Sequence, residues 1–124
     1  MLPLLITIVA TFFAGMGAVA LMAPEYVSTT VGFRMLTPAG RNEVRAVYGG
    51  FGLAMSGLLF AAPSLPAMAA GIYLSVAAAL AGMAAGRLLA AAVERPGGFY
   101  PAWFYCGVEA AMAGILLVAS GMRS

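Results

Sequence analysis

The sequence lacks the residues on which most protein chemistry depends. It has no histidine, no lysine and no aspartate, and it holds a single cysteine, Cys106. Without histidine it cannot form a Ser–His–Asp triad, a Cys–His nucleophile pair or a zinc site of the Cys/His type. The ionisable side chains that carry charge are six arginines and four glutamates. We therefore predict a protein that is not an enzyme, with no catalytic residues, no metal site and no cofactor.

Charge of either sign is scarce. Only 8% of the residues are charged, 64% are hydrophobic and the mean hydropathy is +1.02, whereas roughly a quarter of the residues of a soluble domain are charged. A membrane-spanning helix needs about 20 mostly apolar residues, and the 124 residues contain four such runs. The composition predicts one all-α integral membrane domain.

The glycine-rich segment GGFG lacks the preceding strand and the spacing of a dinucleotide-binding loop, so we do not interpret it as a nucleotide site. We also expect no nucleic-acid partner.

Proline, glycine and threonine mark where the four runs begin and end. Thr37 and Pro38 supply an N-cap and a first helical residue, and Pro63 and Pro66 separate the second run from the third. The first run lacks a basic segment before it and is too long for a signal peptide, so we expect it to be retained. Residues 23–36 are predicted to be an interfacial loop. Short connections favour an antiparallel four-helix bundle, with helices at about 2–22, 38–62, 67–93 and 102–121.

The arginines predict an orientation. One side of the membrane receives five of them, and the other side receives only Arg123. Because cytoplasmic loops carry the excess of basic residues, loops 1 and 3 should be cytoplasmic and both termini periplasmic. The abundance of alanine and glycine is typical of GC-rich bacterial genomes, which suggests the bacterial inner membrane. The five arginines on the cytoplasmic side are Arg34, Arg41, Arg45, Arg87 and Arg95.

Three ionisable residues fall inside the apolar runs: Arg45, Arg87 and Glu109. Each lies roughly 10 Å from the cytoplasmic end of its predicted helix, so we expect them at one depth. Facing lipid would cost on the order of 2.5 to 3.5 kcal/mol each, which favours one carboxylate between two guanidiniums inside the bundle. Tyr48 and Tyr105 could add hydroxyls, although tyrosines near an interface are usually anchors. The cluster is either a structural staple or a ligand-binding site.

Each predicted helix also carries a seam of small or polar residues. Such residues let membrane helices approach closely, and the alternative is that the glycines leave room for a ligand. In the first helix the seam is Thr7, Thr11, Gly15 and Ala18; in the second Arg45, Tyr48 or Gly49, Gly52 and Ser56; in the third Ser75, Ala79, Gly82 and Gly86; and in the fourth Tyr105, Glu109, Met112 or Ala113, Leu116 and Ser120. The glycines that we predict to pack between helices are Gly49, Gly50, Gly52, Gly82 and Gly86.

The pattern RNEVRAVYGGFGLAMSGLLF (41–60), then GR (86–87), then the glutamate in YCGVEAAMAG (105–114), resembles a bacterial family of small four-helix membrane proteins of unknown function, distantly like the DoxX-like proteins. The resemblance implies the four-helix bundle but no activity. DoxX itself is similar to a small membrane subunit of a quinone-reducing enzyme. The positions that match the family's motif are Arg45, Tyr48, Gly49, Gly50, Arg87 and Glu109.

Three functional hypotheses follow from the sequence. The first is a non-catalytic accessory or scaffold subunit of a larger inner-membrane complex, respiratory or photosynthetic, associating with other membrane subunits or with itself. The second is a binder of a small amphipathic ligand, such as a quinone, an isoprenoid or a lipid, at the Arg45, Arg87 and Glu109 cluster. The third is a small proton-coupled exporter, which is the weakest because the first helix carries no charge.

Overall fold

The computed structural model describes residues 1–30, 32 and 37–123, the last of these by its backbone only. Over these residues the regular structure is entirely helical, which confirms the predicted all-α class. The predicted single second helix is interrupted by a π-helical segment. The helices are Leu2–Met22, Pro24–Thr30, Pro38–Val44, the π-helix Arg45–Gly50, Phe51–Ala61, the 3₁₀ turn Ala62–Ser64, Pro66–Val93 and Ala102–Arg123.

Among the residues that the structure describes, four helical segments are long and apolar enough to cross a membrane, by length and composition. This makes the chain a multi-pass membrane protein. We call these segments the first to fourth spans, and their bounds lie within two residues of those predicted. They are Leu2–Met22, Pro38–Ser64, Pro66–Val93 and Ala102–Met122.

The second and third spans begin as their first residues predict. The Thr37 side chain accepts a hydrogen bond from the Gly40 amide at 3.0 Å, and Pro38 occupies the first turn. This threonine satisfies one of the amides that a helix start leaves without an intrahelical partner. Pro66 likewise stands in the first turn of the third span, where its missing N–H costs nothing.

The connection predicted to be a loop contains a short helix, Pro24–Thr30. Pro24 suits the first helical turn, and Glu25 lies there too, where a carboxylate favours the helix dipole. The Ser28 and Thr29 hydroxyls both donate to the Glu25 carbonyl, at 2.9 and 2.8 Å. Both hydroxyls thus bond to a backbone carbonyl of their own helix. Residues 31 and 33–36, which include Phe33 and Arg34, lie outside the described residues.

The chain divides into two compact units: Thr7–Ala61, and Met1–Ile6 together with Ala62–Ser124. Each unit contains a helical hairpin. In the first hairpin, formed by the first and second spans, the Ser56 hydroxyl donates to the Ala10 carbonyl at 2.9 Å, and the Arg45 side chain reaches Leu21. A residue late in one span therefore meets a residue early in the other, so the two spans run antiparallel.

The second hairpin, formed by the third and fourth spans, is also antiparallel. The Ser120 hydroxyl donates to the Ala70 carbonyl at 3.1 Å, and the Cys106 thiol lies 3.7 Å from the Ala84 carbonyl. Large apolar side chains on these two spans are buried, among them Tyr73, Leu80 and Leu116. The hairpin thus combines apolar packing with side-chain hydrogen bonds to backbone carbonyls.

Candidate site at the Arg87–Glu109 ion pair

Arg87 and Glu109 form a bidentate ion pair between the third and fourth spans. Arg87 donates through Nε to Oε1 of Glu109 at 2.7 Å and through Nη2 to Oε2 at 2.9 Å. The antiparallel register creates this contact, because Arg87 lies six residues before the end of the third span and Glu109 seven residues after the start of the fourth. Both groups are therefore roughly 10 Å inside their helices. The pair satisfies both oxygens of the carboxylate.

The two partners differ in exposure. The side chain of Glu109 is 9% exposed and that of Arg87 is 31% exposed. A buried carboxylate is costly unless it is paired and hydrogen-bonded, and the fork of the guanidinium matches both of its oxygens. The pair therefore holds the two spans together, and the arginine is its more exposed member.

An aromatic group lies beside the ion pair. The Arg87 guanidinium carbon is 5.6 Å from the centre of the Tyr105 ring, which is within cation–π range. The Tyr105 hydroxyl in turn lies 3.1 Å from the Tyr100 hydroxyl, and Tyr100 is half exposed. Polar groups thus continue from the buried Glu109 carboxylate past Arg87 and Tyr105 to an exposed tyrosine. Of these two tyrosines, only Tyr105 is among the site residues predicted from the sequence.

Arg45 and Tyr48, the other two predicted site residues, belong to the first hairpin. Arg45 is exposed, and its Nε donates to the Leu21 carbonyl at 3.0 Å. Leu21 is the next-to-last residue of the first span, so Arg45 lies level with the end of its neighbouring helix. Tyr48 is partly buried against Ala20 and Val44. The meeting of Arg45 with Glu109 stays a prediction, because the two residues belong to different compact units.

Two of the glycines predicted to pack do so in the first hairpin. A Cβ at Gly49 would lie 2.8 Å from side-chain atoms of Leu21, and one at Gly52 would lie 3.2 Å from the Phe13 carbonyl oxygen. Within the described residues, a Cβ at Gly82 or Gly86 would meet no atom within 4 Å, and one at Gly50 would meet only the Arg45 carbonyl of its own helix, at 3.9 Å. The packing role predicted for these three is not seen in their hairpins.

A family model matches residues 1–120, and its description is a domain of unknown function, DUF4345. The chain belongs to this family. The expectation of a family of unknown function is therefore confirmed, over nearly the whole chain. A search of curated proteins and a search of solved structures each found no match.

In this DUF4345 chain Gly17 of the first span also packs closely against the second span, and it is not among the glycines predicted to pack. A Cβ at Gly17 would lie 2.9 Å from the Gly49 carbonyl oxygen and 2.9 Å from the Leu53 amide nitrogen. The predicted seam, with Thr7, Thr11, Gly15 and Ala18, lies on the opposite side of this helix, and all four of these residues are exposed. The Thr11 hydroxyl bonds to the Thr7 carbonyl of its own helix, so it needs no partner from another span.

A signal for this contact is present in the sequence, because Gly17 and a second small residue, Ala20, lie at helical spacing. Phe13, Gly17 and Ala20 share one face at helical spacing and are all buried. Cys106 is a free, buried cysteine. The described residues of this DUF4345 chain contain no group of His, Cys, Asp and Glu that could hold a metal ion.

Proposed function

We propose that this chain is a small non-catalytic subunit of a larger bacterial inner-membrane complex, and that it docks through the outward face of its third span. A distant relation to the DoxX-like proteins, whose namesake is similar to a small subunit of a quinone-reducing enzyme, belongs to the same proposal. So does an antiparallel four-helix bundle with loops 1 and 3 in the cytoplasm and both termini in the periplasm.

The observation that supports docking is a row of small exposed residues on the third span, which we call the docking row: Gly71, Ser75, Gly82 and Gly86. All four are exposed, and a Cβ at any of the three glycines would meet no atom within 4 Å among the described residues. Gly71 is two residues from the buried Tyr73, and Gly82 is two residues from the buried Leu80. Residues two apart lie on opposite sides of a helix, so the docking row faces away from the buried face.

A face turned toward lipid has no need of small residues, because bulky aliphatic side chains suit the hydrocarbon at least as well. Small residues matter where another helix comes close, since the backbones can then approach and gain van der Waals contact. Gly82 and Gly86 stand four residues apart, the spacing of one helical turn at which small residues form such a contact surface. The docking row therefore supports a partner span from another polypeptide.

The experiment is native mass spectrometry of the protein extracted from its own membranes in a mild detergent, comparing wild type with the double variant G82L/G86L. Wild type should be detected in a complex with other subunits, and the variant should be detected alone. Since both positions have open space, leucine should not disturb the hairpin, and circular dichroism should give the same melting temperature. The matched control is G57L, a glycine with equally open space in the first hairpin, which should retain the complex.

Two results would contradict the proposal. Wild-type protein that leaves the membrane as a solitary, monodisperse monomer has no partner to dock with. A G82L/G86L variant that keeps its full complement of subunits would exclude the docking row, even if a complex exists.

A second candidate function is supported by the aromatic group beside the ion pair. The Tyr100 and Tyr105 hydroxyls, with the partly exposed Arg87, could hold the polar end of a quinone, isoprenoid or lipid. In this case Arg87→Ala should abolish retention of the bound molecule in the same mass-spectrometry experiment. Tyr100→Phe, which removes only a hydroxyl, should weaken it. If both variants retain the bound molecule as well as wild type does, this candidate is excluded.

A further inference from the structure

Arg45 caps the end of the first span from a neighbouring helix. Its Nε donates to the Leu21 carbonyl at 3.0 Å. The last four carbonyls of a helix have no intrahelical partner, and a cation near them is favoured by the helix dipole. The docking role described above makes no use of this contact, which lies in the other hairpin.

The cap leaves the outer edge of the guanidinium available. Within the residues that the structure describes, the bond from Nε is the only hydrogen bond of the Arg45 side chain, and the residue is exposed. The Nη1 and Nη2 groups carry four further N–H donors in a fixed planar fork. Because Nε is already bound, the direction of that fork is set before any ligand arrives, which lowers the entropy lost on binding.

A second arginine lies one turn earlier on the same face. Arg41 precedes Arg45 by four residues, so the two side chains are neighbours on the helix surface. Arg41 also lies 3.5 Å from Glu25 of the short helix, an exposed and loosely spaced pair. Glu43, the other nearby carboxylate, is two residues from each arginine and so lies on the opposite side of the helix. The face with Arg41 and Arg45 is therefore positive.

The depth of this face identifies what it meets in a bilayer. Leu21 is at the end of the first span, so the guanidinium bound to it lies where the hydrocarbon ends and the lipid headgroups begin. Phosphate is the acceptor that an arginine fork matches best at that depth, and anionic lipids are attracted to basic groups there. We propose that Arg45, assisted by Arg41, binds the phosphate of an anionic phospholipid.

The test is native mass spectrometry of delipidated protein titrated in detergent with phosphatidylglycerol. Wild type should retain one molecule of the lipid. Arg45→Ala should raise the dissociation constant about tenfold or more, because it removes charged hydrogen bonds to the phosphate. Arg45→Lys keeps the charge but not the fork, and should lie between the two. The matched control is Arg95→Ala, which removes an exposed loop arginine and should leave the affinity unchanged. Circular dichroism melts establish that each variant is folded.

Several outcomes would overturn the proposal. One is equal loss of affinity in Arg95→Ala, which would indicate attraction by net charge alone. Another is unchanged affinity in a folded Arg45→Ala variant. If millimolar inorganic phosphate displaces the lipid completely, the site takes a soluble phosphate rather than a lipid. If Arg45→Ala does not fold, the Arg45→Lys variant decides. A lower lipid affinity in folded Arg45→Lys supports the site, and a wild-type affinity excludes a role for the guanidinium fork.

Discussion

The guanidinium of Arg87 and the carboxylate of Glu109 meet edge to edge between two antiparallel membrane spans, joined by hydrogen bonds of 2.7 and 2.9 Å. Each group lies inside an apolar helix, where neither could remain alone at low cost. Their separation in sequence is 22 residues. The contact therefore depends on the third and fourth spans folding back with one particular register, and it resists any slip between them.

We predict that Glu109→Gln lowers the free energy of unfolding by about 3 kcal/mol, because it removes the carboxylate that compensates a guanidinium inside an apolar span. Glu25→Gln is the matched control. Its partner Arg41 lies 3.5 Å away and its own side chain is 66% exposed, so the loss should be below about 0.5 kcal/mol. Detergent unfolding titrations followed by circular dichroism measure both. Similar losses in the two variants would mean that the buried pair contributes no more than a surface pair.

Replacing both residues of the pair tests whether its role is only to hold the third and fourth spans together. In Arg87→Leu/Glu109→Leu no charge is left without a partner, and apolar replacements of buried ion pairs are often neutral or stabilising. We expect the double variant to be more stable than either single variant in the same titrations. If the losses of the single variants simply add, the two side chains do not act on each other.

Gly17 should tolerate no side chain. In Gly17→Ala the new methyl group would lie 2.9 Å from two backbone atoms of the second span, which can move only if the helices separate. We expect a loss of about 2 kcal/mol, in the range for overpacking. Gly15→Ala is the control two residues away in the same helix, where the Cβ has open space, and it should be neutral or slightly stabilising. Thermal unfolding compares the two, and equal melting temperatures would show that the close contact is absent.

The Ser56 hydroxyl should make a measurable but small contribution. It is buried and donates to the Ala10 carbonyl at 2.9 Å, and hydrogen bonds between membrane helices average about 0.6 kcal/mol. Ser56→Ala should therefore cost roughly that amount. Ser75→Ala, which changes an exposed serine of the third span, should cost nothing measurable. A loss in Ser56→Ala no larger than in Ser75→Ala would argue against the interhelical bond.

The ring of Tyr105 should matter more to stability than its hydroxyl. It lies 5.6 Å below the Arg87 guanidinium carbon, and a cation–π contact of this kind is worth about 1 kcal/mol. Tyr105→Leu should lose that amount, whereas Tyr105→Phe, which keeps the ring, should lose less. Unfolding titrations of the two variants measure the difference. Equal losses would assign the effect to the hydroxyl and its contact with Tyr100.

The two hairpins also show why one predicted seam of small residues packs against the neighbouring span and another does not. In the second span, Gly49, Gly52 and Ser56 face the first span, as their common face predicted. In the third span, Gly82 and Gly86 share a face in the same way and yet have open space. In lipid both faces of a helix are apolar, so the spacing of small residues reveals a suitable face without saying which neighbour will use it.

The amino-acid sequence by itself determined the helical class, the four apolar segments and their ends, because the length of a span, the prolines and the N-cap are local properties of the chain. It also indicated that Arg87 and Glu109 need partners, since an unpaired charge inside an apolar span is costly. Only the tertiary structure decided that Arg87 takes Glu109, that Arg45 takes the Leu21 carbonyl, and that Gly17 rather than Gly15 lies against the second span. These choices depend on how each helix is rotated about its axis and shifted along its neighbour, and the summed packing of the whole interface sets both.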